Sequence, residues 1–176
     1  MPNRKELILK RLTEEGAKTV DFFRNLKPEG WKQQVYTTGP EWGAHDILCH
    51  FISVERTLAI YYKDLASGGT GVPRNFNIDA FNEKEVNTLR AANHSCESLI
   101  AEFERGRTQT LSIVQILSDS DFDRIGFHPW FGDTPLENML QLIYRHTMLH
   151  QRDLKKAIET GQPVPHVDTT PPATTQ

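Results

Sequence analysis

Residues 134–161 read TPLENMLQLIYRHTMLHQRDLKKAIETG, and this stretch decides the fold. Its apolar residues recur every three or four positions, a spacing that predicts one long amphipathic helix ending near Gly161. Thr134 is a favoured N-cap, Pro135 suits the first helical position and Glu137 completes a capping box, so the helix is predicted to begin there. The stripe expected to be buried consists of Leu136, Met139, Leu140, Ile143, His146, His150, Leu154 and Ala157.

Two histidines belong to that stripe. His146 and His150 are four residues apart, which places both rings on one helix face, roughly 6 Å apart along the axis. Such a pair can bind one metal ion, as it does in other helical His-x-x-x-His sites. Two core histidines bonded to backbone or water would show the same spacing, so the pair alone leaves metal binding open.

The same periodicity predicts three more long helices. They cover residues 4–26, 43–66 and 95–117. A shorter amphipathic segment of uncertain extent lies within residues 75–92, whereas residues 118–133 are predicted to be a loop, and no strand pair is expected. Four long helices with apolar stripes predict an all-α four-helix bundle over residues 1–161. Residues 162–176 are rich in threonine and proline and are expected to be a flexible tail.

A third histidine lies on the apolar stripe of the second long helix. His50 shares this stripe with Ile47, Phe51, Val54, Leu58, Tyr61 and Tyr62. Together with His146 and His150 it could supply three nitrogen ligands to a metal ion in the bundle core. The remaining coordination positions of the ion would then be open to water or substrate. An open position is typical of catalytic rather than structural metal sites, and three imidazoles suit zinc, nickel, iron or copper.

The composition excludes several classes of protein. The net charge is −3 and the basic residues are scattered, so there is no electrostatic footprint for nucleic acid. No apolar run approaches the roughly 18 residues needed to span a bilayer, so no membrane association is expected. Cys49 and Cys96 are too few for a disulfide framework, which favours a cytoplasmic protein with reduced thiols.

Two carboxylates could support the histidines. Asp46 and Asp153 each lie about one helical turn from a candidate ligand, and metal-bound histidines donate their second N–H to a carboxylate, carbonyl or water. Asp46 could equally be a helix-start charge, and Asp153 could form a surface pair with Lys156. His45 is about 140° around the helix from His50 and is expected to be exposed. The other histidines, which are not expected to be ligands, are His94, His128 and His166.

At this point the sequence resembles a known family. Residues 42–51, WGAHDILCHF, followed by Glu55, are similar to the second-helix motif of DinB-like proteins. The segment HPWFG at residues 128–132, followed by the last helix with its two histidines, is similar to the C-terminal half of that family. Asp79 and Asn82 also resemble a recurring feature of its members. The similarity extends over nearly the whole chain up to Gly161.

The resemblance implies a fold, a cofactor and a class of reaction. It implies an up-down-down-up four-helix bundle, a divalent metal ion on His50, His146 and His150, and a homodimer. Some members of the family, such as mycothiol-dependent maleylpyruvate isomerases, use a low-molecular-weight thiol as co-substrate. We therefore expect a metal-dependent thiol transferase or isomerase acting on a small electrophile, or a metal-dependent hydrolase. The alternative is a non-catalytic protein that binds a metal or a small ligand.

Overall fold

A computed structural model describes residues 3–166 of the chain. Its helices are α1 (Arg4–Arg24), α2 (Pro28–Trp31), α3 (Ala44–Ala66), α4 (Ile78–Ala91), α5 (Cys96–Ile116) and α6 (Leu136–Thr160). The four long helices α1, α3, α5 and α6 form the bundle, and the predicted boundaries lie within two residues of the observed ones. The segment within residues 75–92 contains α4. No helix among residues 3–166 is both long and apolar enough to cross a membrane.

Contacts at the helix ends show the direction of each helix. Arg4, at the start of α1, lies 3.4 Å from Glu137 at the start of α6, so these two helices are parallel. Arg24, at the end of α1, donates to Glu104 in the first half of α5 at 2.9 Å, so α1 and α5 are antiparallel. The hydroxyl of Tyr62, near the end of α3, donates to the Met139 carbonyl near the start of α6. The bundle is therefore up-down-down-up, as expected.

A β-hairpin stands where the sequence predicted a loop without strands. Strands β1 (Ile125–His128) and β2 (Gly132–Pro135) pair antiparallel, with Ile125 opposite Pro135 and His128 opposite Gly132. The prediction was wrong because each strand has only four residues, too few to show alternation, and β2 contains Gly, Asp and Pro, which are poor strand formers.

The start of α6 also differs from the predicted one. Thr134 and Pro135 belong to β2, Pro135 is the N-cap, and no side chain caps the helix. The predicted capping box is absent because the backbone of Thr134 pairs with Gly126 in the hairpin. The Thr134 hydroxyl instead accepts a hydrogen bond from the Asn138 amide at 2.9 Å. The hairpin therefore sets the entry of α6 into the bundle.

The predicted stripes form the core. Every member of the α6 stripe is buried. On α3, Ile47, His50, Phe51 and Tyr62 are buried, but three other members of its stripe are only half-buried. These three are Val54, Leu58 and Tyr61, and they line a pocket near α4. The half-buried part of the stripe therefore lines this pocket instead of the bundle core.

A buried ion pair joins α1, α3 and α5 at the centre of the bundle. Glu55 and Arg107 are 2% and 4% exposed. The Arg107 Nε donates to one carboxylate oxygen of Glu55 at 2.6 Å, and the Thr110 hydroxyl donates to the other at 2.6 Å. Arg107 also donates to the Leu12 carbonyl of α1 at 2.8 Å. A Cβ on Gly106 would lie 2.9 Å from the Cβ of Glu55, so this glycine permits close helix packing.

The chain continues to contact the bundle after α6. The Val164 N–H donates to the Val35 carbonyl at 2.8 Å, and the Thr37 N–H donates to the Val164 carbonyl at 3.0 Å. These bonds place residues 162–166, which the sequence assigned to a tail, across the segment between α2 and α3. Residues 167–176, the rest of that predicted tail, lie outside the described residues.

Candidate metal centre

The three histidines singled out by the sequence come together in the core. The Nε2 atom of His146 lies 3.0 Å from that of His50 and 2.9 Å from that of His150. All three side chains are buried, and one nitrogen from each lies within 4.8 Å of the others. The cluster joins α3 to α6. The predicted convergence of His50, His146 and His150 is therefore observed.

Aromatic rings enclose the cluster. The Trp42 ring lies 4.7 Å from that of His50 and 6.4 Å from that of His150. The Phe51 ring lies 5.9 Å from that of His150. Trp42 is only 7% exposed because Val35 N–H donates to its carbonyl and holds the segment before α3 against the bundle. These rings pack against the imidazoles of His50 and His150.

The arrangement of nitrogens fits a metal ion. A neutral imidazole nitrogen can either donate its one proton or accept at its one lone pair, so the His146 Nε2 cannot bond well to both neighbours. An ion held at about 2.0–2.1 Å by three tetrahedrally arranged nitrogens would separate them by about 3.3 Å, close to the observed spacing. Binding an ion would therefore satisfy all three inward-facing nitrogens with little movement. The donor set suits a first-row divalent metal.

Burial keeps these rings in the form that binds a metal. It lowers the pKa of His146 to about 4, with smaller contributions from other histidines. Burial also lowers the pKa of His50 and of His150 well below the ordinary value of 6.5. All three imidazoles are consequently neutral at pH 7, and the neutral ring is the one with a lone pair available for a metal.

A phenol contacts the outer nitrogen of one ring. The Tyr36 Oη lies 2.5 Å from the His150 Nδ1. Tyr36 is fully buried, and burial followed by the negative charge of Asp153 raises the pKa of its phenol. Asp153, one of the two predicted supporting carboxylates, thus lies beside the phenol. Its other interaction is with Arg152 rather than the predicted Lys156, at 3.0 Å.

The other predicted carboxylate acts at the helix start. One oxygen of Asp46 accepts the Gly43 N–H at 3.0 Å, and the other accepts the Arg90 Nε at 2.9 Å. Burial would raise the pKa of Asp46, but hydrogen bonds from His45, Arg90 and Gly43 outweigh it and lower the pKa to about 2. Of the two readings made from the sequence, the helix-start charge describes Asp46 better.

The remaining histidines divide into two groups. His45 is half-buried rather than exposed, because it packs 3.6 Å from the Cys49 sulfur, and His94 is exposed. His128 and His166 lie near the cluster, although the sequence placed neither there. His128 is 3% exposed and lies on β1, and the His166 ring stacks 5.8 Å from that of His150. The HPWFG motif, which contains His128, could have indicated that this histidine lies near the cluster. No periodic pattern in the sequence indicates the same for His166 or Tyr36.

Two unlike cavities meet at the cluster. A cleft of about 570 Å³ is lined by polar side chains, including Asp79, Glu83 and Arg90, together with the three histidines. A narrow pocket of about 50 Å³ is lined mainly by apolar side chains and also reaches His50 and His146. The apolar lining includes Val54, Leu58, Tyr61, Phe76 and Phe81. Asn82 and Trp130 line both cavities, so the open side of the cluster faces two different environments.

Solved structures share this fold. YfiT from Bacillus subtilis, described as a probable metal-dependent hydrolase with an unusual four-helix bundle topology, is 17% identical, with a TM-score of 0.70 over 90% of this chain and 88% of that one. The colibactin self-resistance protein ClbS, solved with double-stranded DNA, is 13% identical, with a TM-score of 0.70 over 88% and 95%. An uncharacterised protein from Escherichia coli UTI89 is 15% identical, with a TM-score of 0.68 over 93% and 98%.

These identities show a shared fold and no more. No curated protein matches the sequence. The sequence model of the DinB superfamily matches residues 11–154, which include all three histidines of the cluster. That match covers most of the chain and agrees with the bundle topology and with the resemblance in the sequence motifs. The chain therefore belongs to the DinB superfamily.

Proposed function

We propose that this protein is a metal-dependent enzyme that joins a low-molecular-weight thiol to a small electrophile, or isomerises the electrophile with its help. The main support for the proposal is that a polar cleft and an apolar pocket both reach the histidine cluster. Two reactants of different polarity could each occupy one cavity and meet at the cluster. A divalent ion on His50, His146 and His150 would act as a Lewis acid and favour the thiolate form of the co-substrate.

The sulfur must come from outside the chain. Cys49 is buried, and burial raises the pKa of its thiol to about 12, so it stays protonated. It packs beside His45 and is not part of the histidine cluster. Cys96, at the start of α5, is not among the residues that line either cavity. A thiol co-substrate would therefore supply the sulfur, and the polar cleft of about 570 Å³ has room for it.

The charges of the polar cleft favour certain thiols. Glu41, Asp79 and Glu83 line it, whereas the nearby Arg90 is paired with Asp46. Carboxylates accept hydrogen bonds from hydroxyl groups and repel other carboxylates. We therefore expect a preference for a thiol rich in hydroxyl groups over one with several negative charges, and thus for mycothiol over glutathione.

The apolar pocket suits the body of a small electrophile. Its lining also contains His128, whose Nδ1 accepts the Trp130 N–H at 3.2 Å. Burial lowers the pKa of His128 to about 4, so the ring is neutral and its one proton is on Nε2. This N–H is available to donate to an oxygen of the electrophile. An electrophile with a small apolar group next to a carbonyl would match the pocket.

Thiol consumption tests the proposal. Protein loaded with zinc should be mixed with mycothiol, bacillithiol or glutathione and with a panel containing an enone, an epoxide and an aryl halide. We expect loss of free thiol with at least one pair of reactants, and at least a hundredfold slower loss in His50→Ala, because one of three ligands is removed. His45→Ala is the matched control and should retain the activity.

Other outcomes would point to other functions. If none of the three thiols binds in calorimetric titration, the thiol mechanism is wrong. Hydrolysis of esters or amides that depends on His50 would instead favour a metal-dependent hydrolase, the activity suggested for YfiT. Ligand capture without turnover would favour the binding-protein alternative. The absence of a nucleic-acid partner and the homodimer remain predictions, and ClbS provides a reason to include double-stranded DNA among the ligands tested.

A further inference from the structure

Tyr36 occupies a position that the sequence analysis did not anticipate. It lies in the segment between α2 and α3, 114 residues before His150, yet its hydroxyl is 2.5 Å from that ring's Nδ1. The contact is buried, and Tyr36 has no exposed surface. A polar atom is costly to bury without a partner, so this phenol and this imidazole depend on each other.

The backbone on both sides of Tyr36 is fixed. The Val35 N–H donates to the Trp42 carbonyl, and the Val35 carbonyl accepts the Val164 N–H. The Thr37 N–H donates to the Val164 carbonyl. Tyr36 itself forms an isolated bridge with Val164. Because two separate segments of the chain hold this strand-like stretch, the phenol cannot easily move away from His150. The position of its oxygen is set by the fold and not by the histidine.

The direction of the hydrogen bond follows from the inward nitrogen. The Nε2 of His150 faces His146 and the centre of the cluster. An ion bound there would take the lone pair of Nε2, so the ring proton must then be on Nδ1. The His150 Nδ1 lies 2.5 Å from the Tyr36 hydroxyl oxygen. The Nδ1–H would therefore donate to the phenol oxygen.

The Asp153 carboxylate lies next to this tyrosine and histidine. Asp153 is one turn beyond His150 on α6, is 9% exposed, and lies near enough to the phenol for its negative charge to raise the pKa of Tyr36. The Arg152 guanidinium holds the same carboxylate at 3.0 Å. A phenol that receives the Nδ1–H can direct its own O–H toward this carboxylate. The negative charge of Asp153, acting through the phenol, would make the metal-binding nitrogen of His150 more basic.

We propose that Tyr36 is the positioning residue for the metal ligand His150, and that Asp153 acts on the ligand through Tyr36. This inference rests on the metal binding in the proposed function and adds to it a fixed intermediary between ligand and carboxylate. Metal-bound histidines generally donate directly to a carboxylate, carbonyl or water. Here a buried tyrosine takes that place, and by accepting the Nδ1–H it stabilises the tautomer of His150 whose Nε2 can bind a metal.

Tyr36→Phe tests the role because it removes only the hydroxyl. Zinc affinity should be measured by competition with a chromogenic chelator, and the visible spectrum should be recorded with cobalt as the ion. We expect the zinc dissociation constant to rise roughly 10–100-fold, because losing the hydrogen-bond partner of a metal-binding histidine usually has an effect of this size. The absorption bands of the cobalt protein should also shift. Asp153→Asn should weaken zinc binding in the same direction but less, because the phenol remains.

The chain offers a matched control. Tyr62 is also a fully buried tyrosine, but its hydroxyl donates to the Met139 carbonyl, away from the cluster. Tyr62→Phe should therefore leave zinc affinity and the cobalt spectrum unchanged, although it too loses a buried hydroxyl. The metal-free melting temperatures of the two variants show whether each protein is folded and separate a structural effect from a metal effect.

The outcomes are distinct. Wild-type zinc affinity in Tyr36→Phe would overturn the inference and leave the proposed function intact. An equal loss of affinity in Tyr36→Phe and Tyr62→Phe would also overturn it, since the effect would then be structural. Weaker zinc binding in Tyr36→Phe alone would support it, even if no thiol reaction were found. Wild-type protein that binds no zinc would overturn both this inference and the metal-dependent function.

Discussion

Replacing Glu55 by alanine is expected to lower the free energy of unfolding by about 3–5 kcal/mol. The reason is that Arg107, which is 4% exposed, would retain its charge in the core without a counterion. The Thr110 hydroxyl would also lose its partner. Equilibrium urea unfolding followed by circular dichroism measures the change. The effect should be among the largest of any single substitution, because it leaves one charge unpaired where three helices meet.

Two control variants make this prediction specific. Glu104→Ala removes a glutamate of α5 whose partner Arg24 is 44% exposed, and it should cost less than about 1 kcal/mol. The double variant Glu55→Met with Arg107→Met removes both charges and should recover most of the stability lost in Glu55→Ala. A Glu55→Ala protein within about 1 kcal/mol of the wild type would show that the buried pair does not hold the bundle together.

Removing the metal is expected to produce the second large effect. The three ligands come from α3 and α6, so an ion bound only by the folded chain stabilises the contact between these helices. At a free ion concentration one hundred times the dissociation constant, the stabilisation is about 2.7 kcal/mol. For a chain of this size that corresponds to a melting temperature roughly 5–10 °C higher than in the metal-free protein.

Calorimetry before and after treatment with chelator measures this difference. Adding zinc back should restore the higher melting temperature, which distinguishes metal loss from damage by the chelator. His150→Ala should melt at the same temperature with and without chelator, because it has lost a ligand. If metal is demonstrably removed and wild-type melting does not change, the ion does not stabilise the bundle.

The helices and the histidine cluster could be predicted because both follow from a local period. His50, His146 and His150 each belong to a helix, and a helix fixes which residues share a face. Once the stripes of α3 and α6 are known, the bundle must bring them together to bury them. The cluster is therefore encoded within two short stretches of sequence.

The parts that escaped prediction depend on contacts between distant segments. Tyr36 and His166 approach the cluster because Val164 pairs with residues more than 120 positions earlier in the chain. No periodic pattern within either segment records that pairing. The hairpin of β1 and β2 has strands too short to alternate, so His128 could not be placed on the wall of the apolar pocket. These irregular segments supply the surroundings of the cluster, whereas the regular helices supply its ligands.

Metal content tests the central claim most directly. Protein purified without chelator should contain about one divalent ion per chain by elemental analysis, and X-ray absorption should show three imidazole nitrogens at about 2.0–2.1 Å. His150→Ala should lose most of the ion, whereas His45→Ala, which changes a histidine of α3 outside the cluster, should retain it. Full metal occupancy in His150→Ala, or wild-type protein that binds no divalent ion even when zinc is supplied, would contradict a metal centre at His50, His146 and His150.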